Sequence, residues 1–412
     1  YPTIEPYMSA GYELFTWNNG VHNKVYSVID NFTLYLDKHK LTAGLSYEYQ
    51  MANNAYMRNG TGYYRYASVD DFINGAKPLD FALTYGYNGE ENPAAEVAFH
   101  QFGGYIQDEW NVFDNLKLTY GIRLDELKFV DNIITNNAIK ALRFGNDSID
   151  TGVWPTAKLL VSPRMGFTWD VLKDQTLKVR GGTGIFTGRL PLVFFTNMPT
   201  NAGMVQNNYK ATTTYNSNGS IKTQSADLAK FVGGMETDVA KMISMLNLPT
   251  TISPQNGVLP SEIAGVNPNF RMPQVWKSSL AVDYQVPVGF PLTVTVEGIY
   301  TKNINAVMLK NWSLKAPDAN WTKFGGSDDR YIYPTTNNRY WSKNAYVLEN
   351  TDKGWGAIEN ITVNASPIKN LDIMAAYTHT ASFEVTGMPG SNAASAYGGV
   401  VSVNGPQFGE LQ

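Results

Sequence analysis

The chain has 412 residues, a formal net charge of -4 at neutral pH, no cysteine, and 13% aromatic residues that include 25 Tyr and 9 Trp. Without cysteine there are no disulfides, thiolate metal sites or cysteine nucleophiles. A mildly acidic balance gives no support for nucleic-acid binding, which needs a clustered basic surface. Mean hydropathy is -0.26, and no run of 18 apolar residues exists to cross a membrane as a helix.

The first pair of predicted strands spans 23–36 and 41–56, around a turn at Asp37-Lys38-His39-Lys40. A long segment, 58–95, leads to a second pair at 96–110 and 115–128, around Asn111 to Asn115. The second of these holds the cleanest alternation of the chain: Leu116, Leu118, Tyr120, Ile122 and Leu124 are apolar, and Lys117, Thr119, Gly121, Arg123 and Asp125 are polar or lack a side chain. On a strand, where side chains alternate between faces, this makes one face greasy and the other wet. After 129–158 comes a third pair at 159–171 and 176–188, joined at Lys173-Asp174-Gln175. The longest connection, 189–273, carries Leu228, Phe231, Val232, Met235, Val239, Met242, Ile243 and Leu246 at helical spacing, predicting a helix over Ser225 to Leu246 with Ser225 as its cap. Gly233-Gly234 in its middle weakens it. A fourth pair, 274–286 and 292–305, turns at Pro287 to Pro291. After 306–353, a fifth spans 355–366 and 371–384, around Ser366 to Asn370, and the segment from 385 follows.

Strands of soluble sheets run about 5 to 6 residues. Those predicted here run about 12 to 16, enough at roughly 3.3 Å per residue and roughly 40° tilt to cross a bilayer. Short turns alternate with long irregular connections, as in outer-membrane barrels with short periplasmic turns and long extracellular loops. The expected fold is therefore an all-β, antiparallel transmembrane barrel wall of about ten strands. Both chain ends fall on the loop side and no signal peptide precedes Tyr1, so the chain is expected to be the barrel part of a longer protein.

Two hairpins resemble a known family. Phe102-Gly-Gly-Tyr-Ile-Gln-Asp-Glu-Trp110 with Asn115 to Asp125 is similar to a hairpin of TonB-dependent outer-membrane transporters. Ser162-Pro-Arg-Met-Gly-Phe-Thr-Trp-Asp170 with Lys178 to Arg189 is similar to one of their Oar-like subgroup, common in the Bacteroidetes, and Pro268 to Trp276 resembles that subgroup's approach to a later strand. The resemblance implies a 22-stranded barrel around a plug, often preceded by a regulatory-like domain. Neither plug nor TonB box is in this sequence. It also implies partners: outer-membrane lipids and lipopolysaccharide, the protein's own plug, TonB through an N-terminal part, and a surface lipoprotein. No cofactor is implied.

Several residues are candidates for function. Arg123, Arg164 and Arg180, with Gly182 and Gly184, are expected on the lumen face. There the missing side chains let a plug approach closely, and Arg164 and Arg180 either pair with plug carboxylates, or are solvated lumen residues or pair with neighbouring strands. The loop aromatics Tyr63, Tyr64, Tyr66, Trp312, Trp321, Tyr331, Tyr333, Tyr340 and Trp341 either form a ligand-facing platform or pack the loops together and form the outer girdle. Asp70-Asp71 and Asp328-Asp329 lack the alternating oxygen ligands of a calcium loop and read as solvated turns. His22, His39, His100 and His379 have no zinc spacing. Gly181 to Gly188 is a glycine-rich strand, since no helix follows it as a dinucleotide loop requires. A barrel protease would need a carboxylate and histidine cluster at the rim, anchored by His379. A non-transporting adhesive barrel is the other alternative to capture and transport of a substrate.

Overall fold

The computed structural model describes residues 8–316, 322–326, 328–332, 337–384, 388 and 390–398. Its main feature is one antiparallel sheet of ten strands: β1 Asn19–Leu36, β2 His39–Tyr56, β3 Ala95–Phe113, β4 Leu116–Phe129, β5 Leu159–Asp170, β6 Leu177–Thr187, β7 Gln274–Gln285, β8 Leu292–Asn303, β9 Trp355–Ile368 and β10 Leu371–Phe383. Each pairs with its neighbours in chain order. Among the described residues β1 pairs only with β2, and β10 only with β9. No helix among them is long and apolar enough to cross a membrane.

The short connections work because their residues accept left-handed backbone. Asp37 (φ 36°) and Asn370 (φ 63°) sit in two-residue turns, and Lys173 (φ 64°) and Gln175 (φ 67°) turn β5 into β6, where the Asp170 carboxylate accepts from the Gln175 N–H at 2.9 Å. The shortest strand, β6, has 11 residues, which at roughly 3.3 Å each and roughly 40° tilt rise about 28 Å, the hydrocarbon thickness. The longest, β3, has 19 and rises about 48 Å, so its far end stands well clear of the bilayer.

Register sorts the side chains into two faces. One row across the ladder reads Asn31, Gly44, Tyr105, Arg123, Ser162, and another Arg180, Ala281, Glu297, Asn360, Thr378. The rows beside them read Phe32, Ala43, Ile106, Ile122, Pro163 and Val179, Val282, Val296, Ile361, Tyr377. The first face is that of a wet lumen, the second that of a lipid-facing wall. Exposed rings mark both margins of the apolar face: Trp169 and Tyr284 near the short turns, and Trp276, Tyr300, Trp355 and Phe383 at the loop ends. Amphipathic rings favour these interfacial depths.

One buried carboxylate sits on the apolar face. Asp108, 6% exposed, accepts at 2.7 Å from the Tyr120 hydroxyl and lies 2.7 Å from His39 Nδ1, whose ring stacks on Trp110 at 5.4 Å. The carboxylate thereby clips the first hairpin to the second near their turns. Asp108→Ala is expected to lower the urea midpoint of the protein in lipid, and Asp108→Asn, which keeps an acceptor, to lower it less; equal losses would argue against the clip.

The long connections are not the irregular segments expected from the sequence. They contain small sheets, Tyr63–Arg65 with Asp80–Gly86 and Gln206–Ala211, and Ile263–Val266 with Ala345–Thr351 and Ala306–Asn311, together with short helices. Neither sheet was read from the sequence, because each takes a strand from a distant part of the chain. The expected helix over Ser225 to Leu246 is two pieces: a 3-10 turn Ala226–Phe231 and a helix Val239–Leu246. Gly233 (φ 97°) and Gly234 (φ 144°) break it, and Asp238, not Ser225, caps the helix through the Lys241 N–H.

Candidate functional site

Among the described residues the buried apolar clusters all belong to the loop end, so the loops make a folded cap over the sheet. The largest joins Phe195, Met198, Phe270, Leu309, Leu348 and Tyr397 with Ala52, Val97 and Leu160 from the strand ends. A second joins Phe81, Leu83, Tyr85, Leu228, Phe231, Met242 and Leu246. A third gathers Ile139, Phe144, Ile149, Ile263, Ala345 and Val347. Parts of four connections meet in the first cluster, which fixes the loops against one another far better than any one could fix itself.

Below the cap the lumen face is laced with ion pairs. Lys40 and Lys117 reach Glu109 at 2.8 and 3.6 Å; Arg123 grips Asp125 at 2.7 Å and Ser46 at 3.2 Å; Arg189 meets Glu48 at 3.2 Å. Arg180 pairs within the wall, with Asp283 at 3.1 Å and Glu297 at 3.4 Å. Arg164 lies over the Phe186 ring at 4.5 Å. At Gly184 the space a Cβ would take is held by the Arg164 side chain at 2.9 Å, and at Gly182 by the Met165 carbonyl at 3.0 Å. These glycines therefore let adjacent strands and long side chains lie flat on the wall.

The loop aromatics fall into two separate places rather than one platform. Tyr64 packs on Phe81 and Phe231, ring centroids 4.9 and 5.1 Å away, and donates its hydroxyl to the Glu236 carbonyl at 2.8 Å. Burial raises its pKa far above the ordinary tyrosine value. Tyr63 is half-buried on the same strand, and Tyr66 sets its ring against Phe72, its hydroxyl buried without a partner. Trp312 and Trp341 pack on the third cluster, with the Trp312 N–H donating to Glu349 at 2.7 Å, while Tyr340 is exposed beside Lys315. Tyr64, Trp312 and Trp341 thus pack on the loop cores. Tyr331 ends the short strand Asp328–Tyr331, and Trp321 and Tyr333 lie outside the described residues.

Asp70 and Asp71 are in the first turn of a helix, Val69–Ile73, where the dipole favours carboxylates and Ser68 caps the Asp71 N–H at 3.0 Å. His379 stands on β10, exposed, 3.8 Å from Glu359. No group of three or more metal-ligating side chains gathers among the described residues. Sequence reasoning missed the polar side of the Asp80–Gly86 sheet, with Thr84, Asn208 and Lys210, and the nearby Arg58, Asn59 and Glu262. No local pattern marks these residues, because folding collects them from four parts of the chain.

No curated protein matches this chain. Among solved structures it is similar to the copper transporter OprC (11% identity, TM-score 0.45, covering 88% of this chain and 38% of that one). It is also similar to the outer membrane transporter YddB from Escherichia coli (10%, 0.46, 88% and 34%) and to the FrpB iron transporter from Neisseria meningitidis (10%, 0.42, 88% and 37%). The chain thus spans between a third and two fifths of the length of these proteins. The family model for an outer membrane beta barrel domain matches residues 2–406. With a ten-strand wall, a greasy face banded by rings and a charged lumen face, the chain belongs to the outer membrane beta-barrel family and resides in the outer membrane of a Gram-negative bacterium.

Proposed function

We propose that this chain is wall and loop cap of a TonB-dependent receptor of the Oar-like kind, which captures a substrate in its cap and passes it along the lumen past a plug. The observation that carries this reading is the charged lumen wall running beneath a cap with its own buried cores. Such an arrangement suits binding and gating rather than bond chemistry. Unpaired strand edges cost several kcal/mol per polar group in hydrocarbon, so in this reading the outer edges of β1 and β10 continue into further strands of a 22-stranded wall. The partners are then lipids and lipopolysaccharide around the wall, the plug inside it, and TonB below. Site-directed cross-linking of the full-length protein to TonB in cells tests it. An adduct is expected, and its absence at every periplasmic position tried would overturn the reading.

Arg123, Arg164 and Arg180, with Gly182 and Gly184, form the lumen surface assigned to the plug. Arg180→Glu would set a third carboxylate beside Asp283 and Glu297. It is expected to loosen the plug and make cells several-fold more sensitive to vancomycin, with the barrel still migrating as a folded species on a gel. Unchanged sensitivity would remove Arg180 from the plug contact.

A second reading, a surface barrel that binds a partner protein, draws on an exposed apolar patch of Phe72, Ile73, Val232 and Met235 on the cap. The patch is tied together where the Gly233 N–H donates to the Gly75 carbonyl at 2.8 Å. A lipoprotein that co-purifies with the wild type but not with Ile73→Asp would support it.

A further inference from the structure

We infer that the polar face of the small sheet Tyr63–Arg65, Asp80–Gly86 and Gln206–Ala211 is a binding site for a solute carrying an oxyanion, a carboxylate or a phosphate. The inference rests on the capture reading above and names the substrate class of the cap.

Alternation along Asp80–Gly86 sends Phe81, Leu83 and Tyr85 into the apolar core and leaves Ala82 and Thr84 on the opposite face. There Thr84 lies across from Asn208, and Ala82 across from Lys210 on one side and Tyr63 on the other. The Thr84 N–H donates to the Asn59 carbonyl at 3.3 Å, which brings Arg58 and Asn59 against this face. Seven buried side-chain polar atoms have no hydrogen-bond partner among the described residues, and four of them are here: Arg58 Nε, Asn59 Oδ1, Thr84 Oγ1 and Asn208 Oδ1. Thr84 is fully buried and Asn59 is 7% exposed. Buried polar atoms left open at this density call for an occupant that supplies hydrogen bonds.

Charge decides what kind of occupant. Lys210 and Arg58 lie within electrostatic reach of one carboxylate, Glu262, and Lys343 within reach of Lys210; among the described residues no ion pair joins any of them to that carboxylate. The Lys343 ammonium donates to the Pro260 carbonyl at 3.2 Å, and the Arg58 guanidinium lies 4.9 Å over the Phe15 ring, so neither cation is neutralised. Burial, with the positive charges of Arg58 and Lys343, pushes the Lys210 ammonium below its ordinary range, and burial pushes the Glu262 carboxyl up. Lys210 is nonetheless exposed, so a solute can reach it. Two cations beside one carboxylate, with a third beside Lys210 and with the Arg58 Nε–H, the Thr84 hydroxyl and the Lys210 ammonium as donors, match an oxyanion better than a neutral sugar or a cation.

The test is isothermal titration of the full chain in detergent micelles with inorganic phosphate, with citrate, and with glucose as the neutral probe. One of the two anions is expected to bind saturably, the better one identifying the head group, while glucose does not. Lys210→Gln is expected to weaken that binding about tenfold or more. Thr84→Val, which keeps shape and loses only the hydroxyl, should weaken it several-fold with the folded gel migration retained. Failure of both anions to bind, or equal binding by both variants, overturns the site. Binding in micelles without energised uptake by cells would leave the site standing and remove the transport reading instead.

Discussion

Phe195→Ala is expected to open the cap to protease while the wall stays assembled. Phe195 is fully buried in the largest cluster, its ring edge-on to Phe129 at 5.1 Å and to Phe270 at 5.6 Å. Its helix, Val193–Thr200, lies against the loop ends of β2 and β3, where Asn54 donates to the Thr196 hydroxyl at 2.9 Å. Removing a buried phenylalanine costs about 3–5 kcal/mol. That loss falls on contacts among the loops and with the loop ends of the wall strands, and leaves the membrane-crossing part of the ladder untouched. Limited proteolysis of outer-membrane vesicles should cut faster within 129–158 and 189–273, with folded gel migration unchanged. Cutting at the wild-type rate would mean that the loops are not organised around this residue. The same variant should also weaken anion binding, because the Gln206–Ala211 strand follows directly on from this helix.

The wall was legible from the sequence and the cap was not, for a physical reason. Leu116 to Asp125 alternates without a break because one face meets lipid and the other water along the whole strand, and its partners are the wall strands before and after it in the chain. Every wall strand was placed to within a few residues on that basis. The Asp80–Gly86 strand also alternates, with Phe81, Leu83 and Tyr85 inward, but its partner begins at Gln206 and its other face is polar and enclosed rather than wet. Short strands paired across such distances leave no local period to read. The Ser225 to Leu246 stripe did mark residues that share a core, Leu228, Phe231, Met242 and Leu246, yet two left-handed glycines reach the same core by two short pieces. Charges behaved in the same way. Arg123 and Asp125 could be placed on one face from their spacing, whereas the grouping of Lys210 with Arg58 and Glu262 exists only once the cap has folded.

Gly121→Val is expected to block assembly of the wall itself, and the comparison with Gly44→Ala shows why. At Gly121 a Cβ would stand 2.5 Å from the Ile106 carbonyl oxygen and 2.9 Å from the Gln107 Cα, both backbone atoms of the neighbouring β3. These are held by an unbroken run of β3–β4 ladder pairs. Relief would require parting two strands in the middle of the hairpin that resembles the transporter family's, where every lost backbone hydrogen bond is lost in a membrane. Overpacking alone costs about 1–3 kcal/mol, and a β-branched side chain against fixed backbone falls at or above the top of that range. At Gly44 the obstacles are the Tyr105 ring and the Asn31 amide, which hold each other through a 2.8 Å hydrogen bond across the glycine. A ring can swing into the lumen at the loss of that one bond, so Gly44→Ala should assemble with a modestly lower urea midpoint, while Gly121→Val should yield little folded, heat-modifiable protein in the outer membrane. If both variants assemble equally well, the lumen glycines are not there to let strands and side chains lie close. Their place would then belong to the plug, and the vancomycin sensitivity of Gly182→Val and Gly184→Val cells would become the measurement that matters.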